Sequence, residues 1–182
     1  RFGLIVVINS FMGMPPVVVG LLVYLALSRS GPFGVLGLLY TPSAMVIAQV
    51  LLITPIVVSL TRQTIEELDS QYREYFLSLG IKRLPKVLTF LWEARFSLVT
   101  VCLAGFGRAI SEVGAVMIVG GNIDHLTRVM TTAIALETSK GDLALAMALG
   151  VILMLIAFSI NFLIALIRPS NNSSITSKIF SR

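Results

Sequence analysis

Charge is scarce in this chain. Asp, Glu, Lys and Arg make up 13% of its 182 residues, where a soluble domain carries about 25%. Cysteine is nearly absent: Cys102 stands alone, which excludes an internal disulfide and a cysteine-based zinc site. Histidine is limited to His125, with only Asp124 beside it as a second ligand type, so it reads as a loop residue. There is no Ser-His-Asp set, no pair of catalytic carboxylates and no phosphate loop ending in Gly-Lys-Ser/Thr. The chain therefore lacks the means to hydrolyse ATP. What it has in excess is apolar surface: 56% of residues are hydrophobic and the mean hydropathy is +0.93. A fold of 19.7 kDa keeps too much surface to hide that excess inside. A soluble enzyme, a disulfide scaffold and a disordered chain are excluded.

The net charge of +5 does not indicate nucleic acid, because the cations lie between long apolar runs. Charge-free stretches cover 2–28, 30–61 and 143–167. Each exceeds the roughly 20 residues that a helix needs to cross hydrocarbon. Four spans are expected, at about 3–27, 43–61, 96–119 and 143–167. The first contains Pro15 and Pro16, which should kink or break it; that pair either is a tolerated kink or faces a pathway. Thr41 and Pro42 suit the start of the second span. The third is less clean, with 87–107 as its alternative frame. In the frame 96–119, Arg108 and Glu112 fall near mid-depth. Asp142, after Gly141, suits the start of the fourth span.

Arg62, Arg73, Lys82, Arg83, Lys86 and Arg95 all lie in 62–95, whereas Arg29, Arg128 and Lys140 flank the opposite ends of the spans. The positive-inside rule makes 62–95 cytoplasmic. Four crossings then put the 169–182 tail, rich in Ser and Asn and expected to be disordered, on the same side. No charged n-region or cleavage site precedes the first apolar run. A chain that opens at Arg1 in mid-run reads as one that has lost its N-terminus.

The cytoplasmic segment carries a helical stripe at Ile65, Leu68, Tyr72, Phe76 and Leu79. Acidic Glu66, Glu67 and Asp69 crowd its first turns. Gly80 suits a terminator, and Pro85 suits the start of a second helix. An amphipathic helix lying on lipid is the plain alternative. Charges of both signs along its edges fit a protein partner better.

The run Glu74-Tyr75-Phe76-Leu77-Ser78-Leu79-Gly80 resembles the EAA loop of bacterial ABC-importer permeases, with Glu six residues before Gly. Tyr75 and Phe76 depart from the usual small residues, and Trp92-Glu93 from the usual Leu-Pro. The segment Gly107-Arg108-Ala109-Ile110-Ser111-Glu112-Val113-Gly114 and its continuation to Asn122 resemble the molybdate/tungstate branch. The stretch from Thr127 to Gly141 and the run Met14-Pro15-Pro16-Val17-Val18-Val19-Gly20 resemble tungstate-type permeases in particular. The resemblance spans about 3–167. It implies an all-α, polytopic transmembrane bundle over 1–168, truncated at the N-terminus by at least one helix. It also implies a homodimer in a bacterial or archaeal cell membrane, an ABC ATPase on the cytoplasmic side and an oxyanion-binding protein outside. ATP and Mg would sit on the ATPase, with no cofactor on this chain. The activity implied is ATP-driven import of an oxyanion, tungstate first. An ATP-independent secondary transporter or channel is the rival reading.

The resemblance assigns Glu74, Gly80, Tyr72, Phe76 and Leu79 to ATPase coupling. Gly120, Gly121 and Asn122 are an external turn and candidate edge for docking the binding protein. Arg108 and Glu112, spaced i, i+4, share a helix face. A charge at mid-bilayer costs about 2.5–3.5 kcal/mol on insertion scales, so the pair must face protein or water. It is either a packing ion pair or a polar point beside the pathway. Gly105-Phe106-Gly107 lacks the third glycine and the strand of a dinucleotide site. Asn9 and Asn161 are expected to bond between helices.

Overall fold

The structure is a computed structural model, and it describes residues 10–78 and 83–167. The expected all-α class holds, and every regular element among those residues is helical. In chain order these are α1 (Pro16–Leu27), a 3-10 turn (Gly34–Leu36), α2 (Pro42–Ser78), α3 (Arg83–Glu93), α4 (Arg95–Ile110), α5 (Gly114–Gly120), α6 (Met130–Lys140) and α7 (Leu143–Ile167). Asn9, Leu79, Gly80 and the 169–182 tail lie outside the described residues.

The proline pair breaks the first apolar run rather than bending it. A helical turn at 10–12 ends before Met14, and α1 begins afresh at Pro16. Pro15 takes the N-cap position in extended conformation, and its carbonyl accepts Val18 N–H at 3.0 Å. Proline suits a helix start because the donor it lacks would be unsatisfied there in any case. The 12 residues of α1 rise about 18 Å, too short alone for a bilayer of about 30 Å.

At the head of α2, Thr41 acts as its sequence suggests. Its hydroxyl accepts Ala44 N–H at 3.4 Å and donates to Leu38 O at 2.6 Å. Helix α2 then runs for 37 residues with Pro55 inside it. It carries the expected span 43–61 straight on into the segment read as cytoplasmic, without a joint. α2 and α7 are each long and apolar enough to cross a membrane.

The expected third span is not one helix. α4 stops at Ile110, residues 111–113 are irregular, and α5 starts at Gly114. Below it, α3 and α4 meet at Ala94 with a bend of 66°. The break at 111–113 lets α5 turn into the interior, where Ala115, Val116, Val119 and Gly120 are buried. α5 wedges between α1 and α2, and the core is Val19, Val23 and Leu27 of α1, Ala44, Ala48 and Leu52 of α2, and Ala115 and Val119 of α5. Small residues set these distances. A Cβ on Gly20 would stand 2.7 Å from the Ala115 Cα, and one on Gly105 would stand 2.9 Å from side-chain carbons of Ile53 and Val57. Close backbone approach of this kind is how apolar helices associate where lipid removes the hydrophobic drive.

The sequence reading leaves 123–141 without a helix, yet α6 forms there and packs on α7. Gly141 closes α6 at φ +87°. Asp142 caps α7 as expected, accepting Leu145 N–H at 3.0 Å. α7 runs for 25 residues, and only 6% of its apolar window is covered by the rest of the chain. Asn161 does not bond across helices: its Nδ2 donates to Ala157 O of its own helix at 2.8 Å.

Gly20→Ala should destabilise the fold by about 1–3 kcal/mol, the usual cost of overpacking, because its neighbour is Ala115 backbone. Gly114→Ala should cost less, because the atom 2.9 Å away is a Val17 methyl that can rotate. Thermal unfolding of the two variants in detergent checks the order.

Candidate functional site

Two regions gather the residues that the sequence singles out. The first is the hairpin made by the end of α2 and by α3. Phe76 of α2 meets Phe90 of α3 edge to face, with centroids 5.4 Å apart, and Tyr72 lies 6.2 Å from Phe76. Lys86 Nζ stands 5.7 Å from the Phe76 centroid and 5.3 Å from that of Phe90. The same ammonium pairs with the Asp69 carboxylate. One cation thus ties two rings and a carboxylate across the two helices. Phe90 is buried, so the stripe that the periodicity gives to a partner is partly covered by the chain's own α3. The faces left open are different. Tyr75 is 69% exposed, Leu77 72% and Trp92 70%, and Glu74 is exposed beside them. Leu77 sits off the stripe of α2, and Trp92 lies on α3, so the periodic pattern flags neither.

The second region is the break between α4 and α5. Arg108 Nη2 lies 3.3 Å from Glu112 Oε2, and Glu112 is 5% exposed against 39% for Arg108. The other carboxylate oxygen accepts Ala115 N–H at 3.2 Å. The Glu112 backbone carbonyl accepts from Thr131 Oγ1 of α6 at 3.3 Å. Gln49 of α2 donates to Ala109 O at 3.3 Å. The arrangement follows from the dipoles of the two helices. Arg108 sits in the last turn of α4, where carbonyls point outward, and Glu112 sits ahead of α5, where N–H groups do. The head of α1 comes to the same place. A Cβ on Gly114 would lie 3.9 Å from Val17 N and 3.6 Å from Glu112 Oε1. Val17, the residue after the proline pair, thus packs on Gly114, two residues past Glu112. Thr131 and Gln49 are the residues here that sequence reasoning missed. Their only signal was polarity inside apolar surroundings.

The external turn is tied from within. Thr127 Oγ1 donates to Gly120 O at 2.6 Å and accepts Ile123 N–H at 2.8 Å. Gly120 lies under Met45, whose sulfur would be 2.9 Å from a Cβ there, so it presents no outer surface. Gly121 (φ +71°) and Asn122 (φ +49°) take left-handed conformations, and Tyr40 N–H reaches Val119 O at 3.1 Å. His125 is 95% exposed and 3.8 Å from Asp124. Among the described residues no group of three or more His, Cys, Asp or Glu could hold a metal.

Glu112→Ala should lower folded yield more than Arg108→Ala, because the buried carboxylate satisfies a helix end as well as a cation. A loss of about 1–3 kcal/mol matches an unsatisfied buried group. Glu112→Gln, which keeps an acceptor for Ala115 N–H, should recover much of it. Fluorescence-detected size exclusion after stepped heating distinguishes these outcomes.

Comparison with known proteins places this geometry. Residues 2–172 match the family described as binding-protein-dependent transport system inner membrane component. The chain is 42% identical over 157 residues to the tungstate uptake system permease protein TupB of Campylobacter jejuni, covering 86% of this chain and 66% of that protein. It is 46% identical over 158 residues to the TupB of Peptoclostridium acidaminophilum, covering 87% and 69%. A probable anion ABC transporter permease protein of Haloferax volcanii is 44% identical over 162 residues, covering 86% and 70%. The chain thus spans about two thirds of the length of these relatives. No solved structure matches it. With apolar helices of membrane-crossing length at α2 and α7, it is a multi-pass membrane protein, and it belongs to the family of binding-protein-dependent transport system inner membrane components.

Proposed function

We propose that this chain is the permease subunit of an ATP-driven importer of an oxyanion, tungstate first. Two copies would enclose the pathway. The observation that carries the reading is the similarity to two tungstate permeases at 42% and 46% identity over most of this chain. The geometry supports it in two ways. The hairpin of α2 and α3 is braced by Lys86, Asp69, Phe76 and Phe90, as a lever that transmits force needs to be. It is also continuous with α2, so a push on the hairpin reaches the core without crossing a flexible joint.

In this reading an ABC ATPase holds the hairpin through Glu74, Tyr75 and Leu77, and the resemblance adds Leu79 and Gly80 to that contact. A binding protein delivers the anion at the opposite face, where Gly121 and Asn122 lie. ATP and Mg belong to the ATPase. The ATPase biases the membrane helices only if it binds one of their arrangements better than the other. A rigid hairpin makes that difference in contact possible. Arg108 and Glu112 close the broken helix. The guanidinium face that remains open on Arg108 is the positive group nearest to an anion crossing there.

Tungstate uptake in cells lacking their own importer, followed by elemental analysis, tests the proposal. Uptake should appear when this chain is expressed with its ATPase and binding protein, and vanish when the ATPase is withheld. Uptake that persists without the ATPase would overturn it. Leu77→Asp should reduce uptake at least tenfold while leaving membrane yield unchanged, because that side chain is 72% exposed and contributes little to the fold.

A further inference from the structure

The corner where α3 and α4 meet, bent by 66°, leaves an apolar face open on each helix. On α3, Phe90 is buried against Phe76 of α2 and Lys86 is tied to Asp69, while Val87, Leu88, Leu91 and Trp92 are exposed. These four recur at helical spacing and share one face. On α4, Leu98, Cys102 and Phe106 follow at intervals of four and share a face in the same way. A groove of about 570 Å³ runs along this corner, lined by Leu91 of α3 and by Leu98, Val99, Cys102, Leu103 and Phe106 of α4. Arg95 is the one charged residue that lines it.

Arg95 is exposed yet held in place. Its guanidinium carbon stands 4.4 Å from the Trp92 ring centroid and 4.7 Å from that of Phe96, and Nη1 donates to Trp92 O at 3.2 Å. Stacking fixes the planar guanidinium and leaves its edge free to take an oxyanion at two points. Among the described residues no carboxylate pairs with it, the exposed Glu93 at the end of α3 included. From Arg95 to Phe106, α4 rises about 16 Å. That matches one leaflet, half of a hydrocarbon core of about 30 Å. Trp92 beside the cation suits the headgroup level, where amphipathic rings collect. Between 82 and 95 the sequence sets Lys82, Arg83, Lys86 and Arg95 against Glu93 alone, a balance that draws anionic lipid to the cytoplasmic leaflet.

We infer that the groove at this corner binds one anionic phospholipid of the leaflet on the hairpin side, its phosphate on Arg95 and an acyl chain along Leu98, Cys102 and Phe106. A neutral lipid fills the apolar floor equally well but brings no net charge to the guanidinium. A soluble anion meets the guanidinium but leaves the floor uncovered. This goes beyond the permease reading and needs only the membrane placement, whatever the cargo.

Photo-crosslinking tests it on the full-length permease in nanodiscs. The probes are phosphatidylglycerol and phosphatidylcholine, each with a diazirine on one acyl chain, added in turn at equal concentration. Adducts are mapped by peptide mass spectrometry. Met147, Met154 and Phe158 of α7, all exposed, report ordinary lipid contact. The ratio of phosphatidylglycerol to phosphatidylcholine adducts over 98–106 should exceed that on α7 by about fivefold, the effect of one cation at an anionic surface. Arg95→Gln should bring it down to the α7 value, and Arg95→Lys should keep most of it. Arg29→Gln, which removes an exposed cation at the other end of the spans, should leave it unchanged. Cys102→Trp, which fills the groove and spares the cation, should cut the phosphatidylglycerol adducts over 98–106 several-fold. An equal ratio at the groove and on α7, or one that Arg95→Gln does not lower, would overturn the inference. A groove that neither probe labels would overturn it too, and bismaleimide joining the Cys102 thiols of two copies would then name a second copy as the occupant. If Arg95→Gln does not insert, the unmodified ratio and Cys102→Trp decide. Tungstate uptake is measured separately, so loss of the lipid preference in a permease that still transports refutes the lipid site only.

Discussion

A helix that breaks inside apolar surroundings has to satisfy its own ends, and Glu112 does this here. Its carboxylate takes the open N–H of Ala115 and the guanidinium of Arg108, while its carbonyl takes the Thr131 hydroxyl. No bulk water reaches a group that is 5% exposed, so these partners replace the solvent that would otherwise be needed. The consequence is architectural. Because α4 can stop at Ile110, α5 is free to turn inward and fill the space between α1 and α2. Without that break, residues 96–119 would be one straight rod and Ala115 and Val119 would have no place in the core.

The same economy of polar groups shapes the hairpin. Lys86 sits against two aromatic faces and a carboxylate, so a charge that could have been a solvated surface cation holds α3 to the end of α2. Exposed ion pairs contribute little, but this one is half-buried and reinforced by ring contacts. It makes the hairpin one body with α2. The apolar stripe that periodicity assigns to a partner is partly spent inside the hairpin, where Phe76 meets Phe90, and the surface left for a partner lies around Tyr75 and Leu77.

The molecule exposes far more apolar surface than a soluble chain tolerates. Leu145, Met147, Met154, Leu155 and Phe158 of α7 are open, as is the α4 face bearing Val99 and Phe106. Lipid, or other membrane helices of the assembled transporter, must cover them.

Sequence alone determined the membrane class, the helical content, the starts of α2 and α7 at Thr41 and Asp142, and the family, because composition, caps and short motifs are local properties. The i, i+4 spacing also foretold that Arg108 and Glu112 meet. Tertiary structure decided the rest. It broke the third span at 111–113, because the partners that stabilise the break come from Gln49 and Thr131, which are far away in sequence. It packed α6 onto α7, burying Thr131 and Thr132 by contacts no local pattern encodes. It turned Phe76 inward, because Phe90 and Lys86 lie on another helix. A periodic stripe states that a face will be covered; which surface covers it depends on where the chain returns.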